Sequence, residues 1–336
     1  MNLLFLLPQI HSCFTGGNIY NREIIDTIKN RHQIHVTIWD SDPPAQTDWT
    51  CHAVLVDSLL LTDKKLAGVL AGLPDGAPRI LLVHYLHLLD PAFSRSVKAA
   101  REKKALSLFN RLVCTSRFTC KGLQDAGISK EQLRVVKPGL SPLFFQAGNT
   151  FSESGPPQLL TVSSIFPGKG LIEFLDILEN ISDLPWRWKI VGETDLAPEY
   201  YQQFCRRVKA SPMTGRIEIT GKLPQEQLPA VYQESQVFVL PSQFETCSMV
   251  AMEAMLQGLP VLANAVGGLP ELFADKTSDF LLPPGNAEKW EDRLRRLLSD
   301  RPLRRNLGQS ALRLSSDFKS WDETAEDFER LVLKGT

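Results

Sequence analysis

Short apolar runs separated by amphipathic stretches recur along the chain in two series, with one polar interval between them. Runs of this length alternating with helical periodicity suit strands of parallel sheets covered on both faces, so the expected class is α/β. The first series predicts strands near 3–7, 35–39, 53–56, 80–84, 112–115 and 133–136, with helices near 18–29, 64–71, 93–110 and 118–126. From Gly148 to Gln158 the chain is rich in Ser, Gly, Pro and Asn without an apolar repeat, which reads as a linker. The second series predicts strands near 159–162, 188–191, 217–220, 237–240, 261–263 and 280–282. The expected organisation is two doubly wound, Rossmann-like domains, 1–147 and 148–317, with a last helix within 318–336 packing back on the first. A chain of 336 residues can bury two such cores.

Charge and cysteine usage narrow the partners. Formal net charge is −1, so the whole-chain electrostatic footprint of a nucleic-acid binder is missing. Two segments are locally basic, Arg95 to Arg111 and Arg293 to Arg305. Each reads either as a solvated helix face or as a patch for an anionic membrane surface or acidic acceptor. No run reaches the roughly 18 apolar residues of a membrane span. The opening Met1 to Leu7 lacks a basic start and runs straight into Pro8, so it reads as a first strand rather than a secretory signal. The six cysteines show no metal or redox spacing, and a reducing cytoplasm is the default.

Ligands of open α/β sheets sit beyond the strand carboxyl ends, so the cleft between two such domains is the expected site. The most specific segment there is Phe244 to Met255, which follows the apolar run 237–240. It carries Glu245 and Glu253, and a helix beginning near Cys247 would aim the amides of Cys247, Ser248 and Met249 at a phosphate. The helical rise puts the two acids roughly 10–12 Å apart, about the span from sugar to ribose in a nucleotide sugar. The plain alternative is an amphipathic helix with two solvated acids. Glu253 speaks against it, because it sits among Met252, Ala254 and Met255, and a buried acid needs a partner. A second segment, Leu160 to Gly170, is a strand, a loop and a helix start bearing Lys169, a cation suited to a leaving diphosphate. In the first domain, Gly16-Gly17 opens a helix where backbone can approach an anion, and His84 ends an apolar strand, with His87 close behind. Asp40-Ser41-Asp42 has metal-chelating spacing but reads as loop chemistry, and no metal or other cofactor is expected.

The Glu-x7-Glu spacing, with Gly258 to Val261, Gly267 to Glu271 and Leu228 to Tyr232, resembles glycosyltransferase family 4, the retaining GT-B enzymes, over essentially all of 158–273. The resemblance implies an acceptor-side first domain and a second domain that binds a UDP- or GDP-sugar donor, with hexosyl transfer to a glycan, lipid or small-molecule acceptor. It assigns Glu245 to donor-sugar hydroxyls, Glu253 to the ribose, the amides between them to a phosphate, Lys169 to the diphosphate and His84 to the sugar. Gly16 and Gly17 would face the diphosphate, and Gly192 and Leu223 the base or ribose. Ser164 stands where the family commonly has an Arg, which leaves room for a weaker clamp, a cation from Lys137 or Arg117, or a non-catalytic nucleotide-sugar-binding subunit. An inverting enzyme with His11 as base and a phosphorylase or epimerase on the same fold also stay open. The expected location is cytoplasmic, with peripheral contact at the inner membrane face allowed.

Overall fold

The opening apolar run forms β1 (Asn2–Pro8) in a computed structural model that describes residues 1–9, 15–39, 51–74, 76–146, 155–274 and 277–334. Helix α1 (Gly16–Ile28) leads to β2 (Gln33–Trp39), which pairs with β1 in parallel. The series continues with β3 (Ala53–Asp57), α2 (Leu66–Ala71), β4 (Arg79–Val83), α3 (Val97–Ala105), β5 (Arg111–Cys114), α4 (Arg117–Asp125) and β6 (Leu133–Val135). Among the described residues these six strands form one sheet of order β2-β1-β3-β4-β5-β6. Helix α3 is shorter than the expected 93–110. The Asp90 carboxylate accepts the Ala92 amide and holds a turn, Ser96 caps the helix by accepting the Ala99 amide, and after Ala105 the chain tightens into a 3-10 turn at Leu106–Leu108.

The second series runs β7 (Gln158–Val162), α5 (Leu171–Asn180), β8 (Arg187–Val191), α6 (Pro198–Ala210), β9 (Ile217–Gly221), α7 (Leu228–Gln233), β10 (Val237–Leu240), α8 (Met249–Leu256), β11 (Val261–Asn264), α9 (Thr277–Phe280) and β12 (Leu281–Leu282). Helices α10 (Ala287–Ser299), α11 (Arg301–Leu314) and α12 (Trp321–Phe328) follow. Its sheet has the order β12-β11-β10-β7-β8-β9. Alternation along its strands builds two cores. Leu160, Phe238 and Leu240 face α8, whereas Leu159, Val237 and Val239 join Phe174 of α5 and Trp290 of α10. Each such fully buried side chain stabilises by roughly 1.5–3 kcal/mol.

The chain divides into two compact units, Met1–Gly139 with Lys319–Thr336, and Leu140–Phe318. It enters the second unit at Leu140, ahead of the polar tract, because Leu140 and Phe144 are core residues there. Phe144 meets Tyr232 edge-on at 5.8 Å, and its carbonyl accepts from Gln257 Nε2. In the first unit α12 lies on α1, with the Trp321 ring 5.7 Å from Tyr20 and a Ser320–Glu323 capping box at its start.

One feature of both sheets positions function. Strand order reverses between β1 and β3 in the first unit and between β7 and β10 in the second. Crossovers leaving these neighbours depart in opposite directions, which opens a crevice at the strand carboxyl ends.

Candidate active site

In the second unit, the two loops predicted to carry chemistry leave the two strands at the reversal point, β7 and β10. They are packed against each other at backbone distance. Gly170 caps α5 with a φ of 67°, and a Cβ there would lie 2.2 Å from the Pro241 carbonyl oxygen. This close approach brings Lys169 Nζ to 2.6 Å from Glu245 Oε1, with side-chain exposures of 16% and 11%. Lys169 also lies over the Phe166 ring at 5.3 Å, a cation–π contact. The Glu245 backbone is pinned in turn. Its carbonyl accepts the Gly268 amide at 2.9 Å, and Gly267, with φ at 56°, comes so close that a Cβ would overlap that same oxygen.

The helix expected to begin near Cys247 begins at Met249. Cys247 is buried in the core, and Ser248 occupies the cap position in the left-handed region, with φ at 66°. With Ser248 as the cap, the amides of Met249, Val250 and Ala251 are the first-turn donors without a partner inside the helix. The Ser248 hydroxyl is buried without a hydrogen-bond partner among the described residues. A left-handed non-glycine residue costs roughly 1–2 kcal/mol, so Ser248→Gly is expected to raise stability by about 1 kcal/mol. Thermal unfolding would read this as a melting temperature a few degrees higher. An unchanged or lower value would show that contacts to the Ser248 side chain outweigh the backbone strain.

Glu253 is buried, as its apolar surroundings imply. Its partner within the protein is the Tyr232 hydroxyl, which donates to Oε2 at 2.7 Å. The other oxygen, Oε1, makes no hydrogen bond among the described residues. Burial pushes the Glu253 carboxyl up to about 7, the Tyr232 hydrogen bond opposing it, while burial and the neighbouring acid drive the Tyr232 phenol well above its ordinary range. Gly192 and the Ser163 carbonyl meet where a Cβ would be 2.0 Å away, and the Gly192 amide donates to Gly221. The ends of β7, β8 and β9 are thereby tied together. Ser164 is half-buried beside that junction, and Leu223 packs against the α8 core.

The first unit gathers a separate cluster at its own reversal point. Gly17 sits against His84, where a Cβ would lie 2.9 Å from the imidazole, while Gly16 is exposed at the start of α1. His84 Nε2 is 2.7 Å from Asn21 Oδ1, and the Asn21 amide donates to Asp57 Oδ2 at 2.6 Å. Since a carbonyl oxygen only accepts, Nε2 carries the proton, and Nδ1, buried and unpartnered among the described residues, keeps its lone pair. Burial holds His84 below its ordinary pKa, the Asp57 charge pulling the other way, so the ring is neutral near pH 7. Asn21 and Asp57 escaped the sequence reading. Their signal was there: an Asp closing the apolar run 53–56, and an Asn one helical turn beyond Gly17. His87 is engaged elsewhere, 2.7 Å from the buried Glu102. His11 and the Asp40–Asp42 pair lie outside the described residues. A surface depression of about 440 Å³ lined by Pro74, Pro78, Arg79 and Asn110 opens at the amino ends of β4 and β5, the opposite edge of that sheet from the His84 cluster, and none of the expected site residues lines it.

Two doubly wound parallel units, each with its polar cluster at the strand reversal, define the GT-B class of fold. The solved structures agree: the chain superposes on sucrose-phosphate synthase from Thermosynechococcus elongatus with a TM-score of 0.83 at 18% identity, covering 99% of both chains. On HepE of Anabaena in complex with UDP-glucose the TM-score is 0.82 at 17% identity, covering 99% of this chain and 100% of that one. The family model for glycosyl transferases group 1 matches residues 146–313, and the chain belongs to that family. Among curated relatives, D-inositol 3-phosphate glycosyltransferase of Corynebacterium aurimucosum is 33% identical over 46% of this chain and 37% of its own length. Its counterpart in Corynebacterium efficiens is 36% identical over 61% of this chain and 52% of its own length. The matches thus span about a third to a half of these relatives.

Proposed function

We infer that this protein is a retaining glycosyltransferase that moves a sugar from a nucleotide-diphosphate donor, a UDP-sugar in the first instance, to an acceptor hydroxyl. The observation that carries this reading is the Lys169–Glu245 pair, held by loops from the two strands at the reversal point of the second sheet. Glycosidic cleavage develops negative charge on the departing diphosphate and positive charge on the sugar. Lys169 and the open amides of Met249, Val250 and Ala251 neutralise the first, and Glu245 holds hydroxyls of the second. With the cation supplied by Lys169, the reaction needs no metal. Glu253 Oε1 accepts from the ribose. No protein nucleophile is required, because a donor phosphate oxygen can take the acceptor proton as the hydroxyl attacks the same face. Ser164 offers a hydroxyl where the family resemblance leads one to expect a guanidinium, which weakens the hold on the diphosphate without removing it. The acceptors named for the relatives make a polyol phosphate the first acceptor to try, and the reaction is placed in the cytoplasm.

A thermal-shift screen of UDP, GDP and ADP with their sugars tests the reading, since a ligand at a hundred times its Kd stabilises by about 2.7 kcal/mol. UDP compounds are expected to raise the melting temperature, and Glu253→Ala to weaken the shift. Turnover with an acceptor panel should then give a product with the donor's anomeric configuration. Binding without turnover over the whole panel would point instead to a non-catalytic subunit, and an inverted product to a different base. No nucleotide shifting the wild type would end the proposal.

A further inference from the structure

Of the two basic segments, one spends several of its cations on contacts within the protein, whereas in the other the cations from Arg95 to Lys104 stand apart from any carboxylate among the described residues. In the segment from Arg293 to Arg305, Arg295 is paired with Asp183, Arg293 donates to the carbonyls of Asp279 and Ser278, and Arg304 is buried against the carbonyls of Leu297 and Leu298. Around α3 the pattern is the reverse. The helix buries Ala99 and Glu102, and Leu106 one turn on, an i, i+3, i+7 row. Glu102, the single acid in 91–107, is thereby turned inward, where it accepts the amides of His87 and Leu88. Val97, Arg101 and Lys104 form the opposite, outward pole at i, i+4 and i+7, with Lys98 and Lys103 on its flanks and Arg95 in the turn before it. Among the described residues none of these five cations is paired with a carboxylate.

Two of the large exposed apolar side chains belong to this segment, Val97 at 70% exposure on the outward pole and Phe93 at 49% in the turn before the helix, its ring 5.8 Å from His87. We propose that this exposed basic segment, the face of Val97, Arg101 and Lys104 with Lys98 and Lys103 on its flanks and Phe93 and Arg95 in the turn that leads into it, docks the protein on an anionic lipid surface. A soluble acidic partner would be met by the cations alone and would leave two apolar side chains without a role. A bilayer interface takes both, anionic headgroups for the cations and the acyl boundary for the Phe and Val. The attraction is local, because formal net charge is −1. The contact is peripheral, as no described helix is long and apolar enough to cross a membrane.

The test is sedimentation of the full chain with vesicles of mixed phosphatidylglycerol and phosphatidylcholine against pure phosphatidylcholine, at low and high salt. Binding to the anionic vesicles is expected to be at least about tenfold tighter and to weaken with salt. Each cation near such a surface contributes enough that Arg101→Glu with Lys104→Glu should cost at least about a hundredfold. A charge-matched control on α6, Arg206→Glu with Lys209→Glu, should change binding by less than about threefold. Phe93→Ser should cost several-fold and most visibly at high salt. All these side chains are exposed, so melting temperatures should match the wild type. Equal losses in the α3 and α6 pairs would show a diffuse charge effect and overturn the proposal. So would competition by soluble polyglutamate combined with indifference to Phe93→Ser, which would identify an acidic soluble partner.

Discussion

Lys169→Met is expected to lower kcat/KM for sugar transfer by roughly 10³-fold and, because it strips a largely buried carboxylate of its partner, to lower the melting temperature by several degrees. Removing one preorganised stabiliser of a developing oxyanion typically costs about 10²- to 10³-fold. Here the loss sits at the upper end for a structural reason. Glu245 Oε1 is 2.6 Å from the ammonium, so the substitution removes a cation and also leaves a carboxylate facing the leaving diphosphate without its partner. The two residues should therefore be non-additive. In the Lys169→Met background, Glu245→Gln is expected to recover part of the loss, although alone it reduces transfer by about two orders of magnitude. Steady-state kinetics of the four proteins in this cycle measure the coupling. Lys169→Met turning over at the wild-type rate, or strict additivity, would remove the ion pair from the chemistry.

The second large effect is on pH dependence and falls on Glu253. Burial raises its carboxyl to about 7 from an ordinary value of 4.5. Between those two pH values the folded chain keeps a proton that the unfolded chain has released, so stability contributed by this group is full at the acid end and declines as pH rises. The whole decline is on the order of 3 kcal/mol, complete above about pH 7. Glu253→Gln carries no titrating group, so it should match the wild type near pH 4.5 and exceed it at pH 8 by up to that amount. Denaturant unfolding at several pH values decides this, and parallel profiles for the two proteins would refute it. The same charge bears on ligand binding. A carboxylate accepts from ribose hydroxyls better than a neutral acid does, so UDP affinity should rise through pH 7 by up to about tenfold in the wild type. It should stay flat in Glu253→Gln.

The α/β class, the strand positions, His84 at a strand end, Lys169 and Glu245 just ahead of helices and Glu253 within one are legible because they follow from local periodicity and composition. What the sequence could not show is adjacency. Lys169 and Glu245 are 76 positions apart, and their meeting depends on β10 lying beside β7, a fact of strand order rather than of either segment. Tyr232 as the partner of Glu253 was hidden for the same reason, although an aromatic hydroxyl in a short helix before a buried strand was a fair signal. The start of α8 was misplaced by two residues. Ser248 holds the cap position with a left-handed backbone and no side-chain capping bond, so the usual serine-cap signal did not mark it. At the other cluster, periodicity located His84 but carried no information on which ring nitrogen would be protonated. That depends on Asn21 and Asp57, brought in from a helix and a neighbouring strand.

The last described helix has a consequence for how the protein is made. Glu329 pairs with Arg31 and approaches His32, Trp321 covers Tyr20, and the Ser320 backbone lies so close to Gly139 that no side chain would fit between them. A ribosome releases Gly139 roughly 180 residues before Lys319, a delay of roughly ten to forty seconds at common elongation rates. During that time the flank of α1 waits uncovered, whereas Leu140–Phe318 emerges as one uninterrupted stretch and can mature without help from distant sequence. The second unit is thus the first able to finish folding, and the nascent first unit must stay protected from aggregation until α12 has emerged.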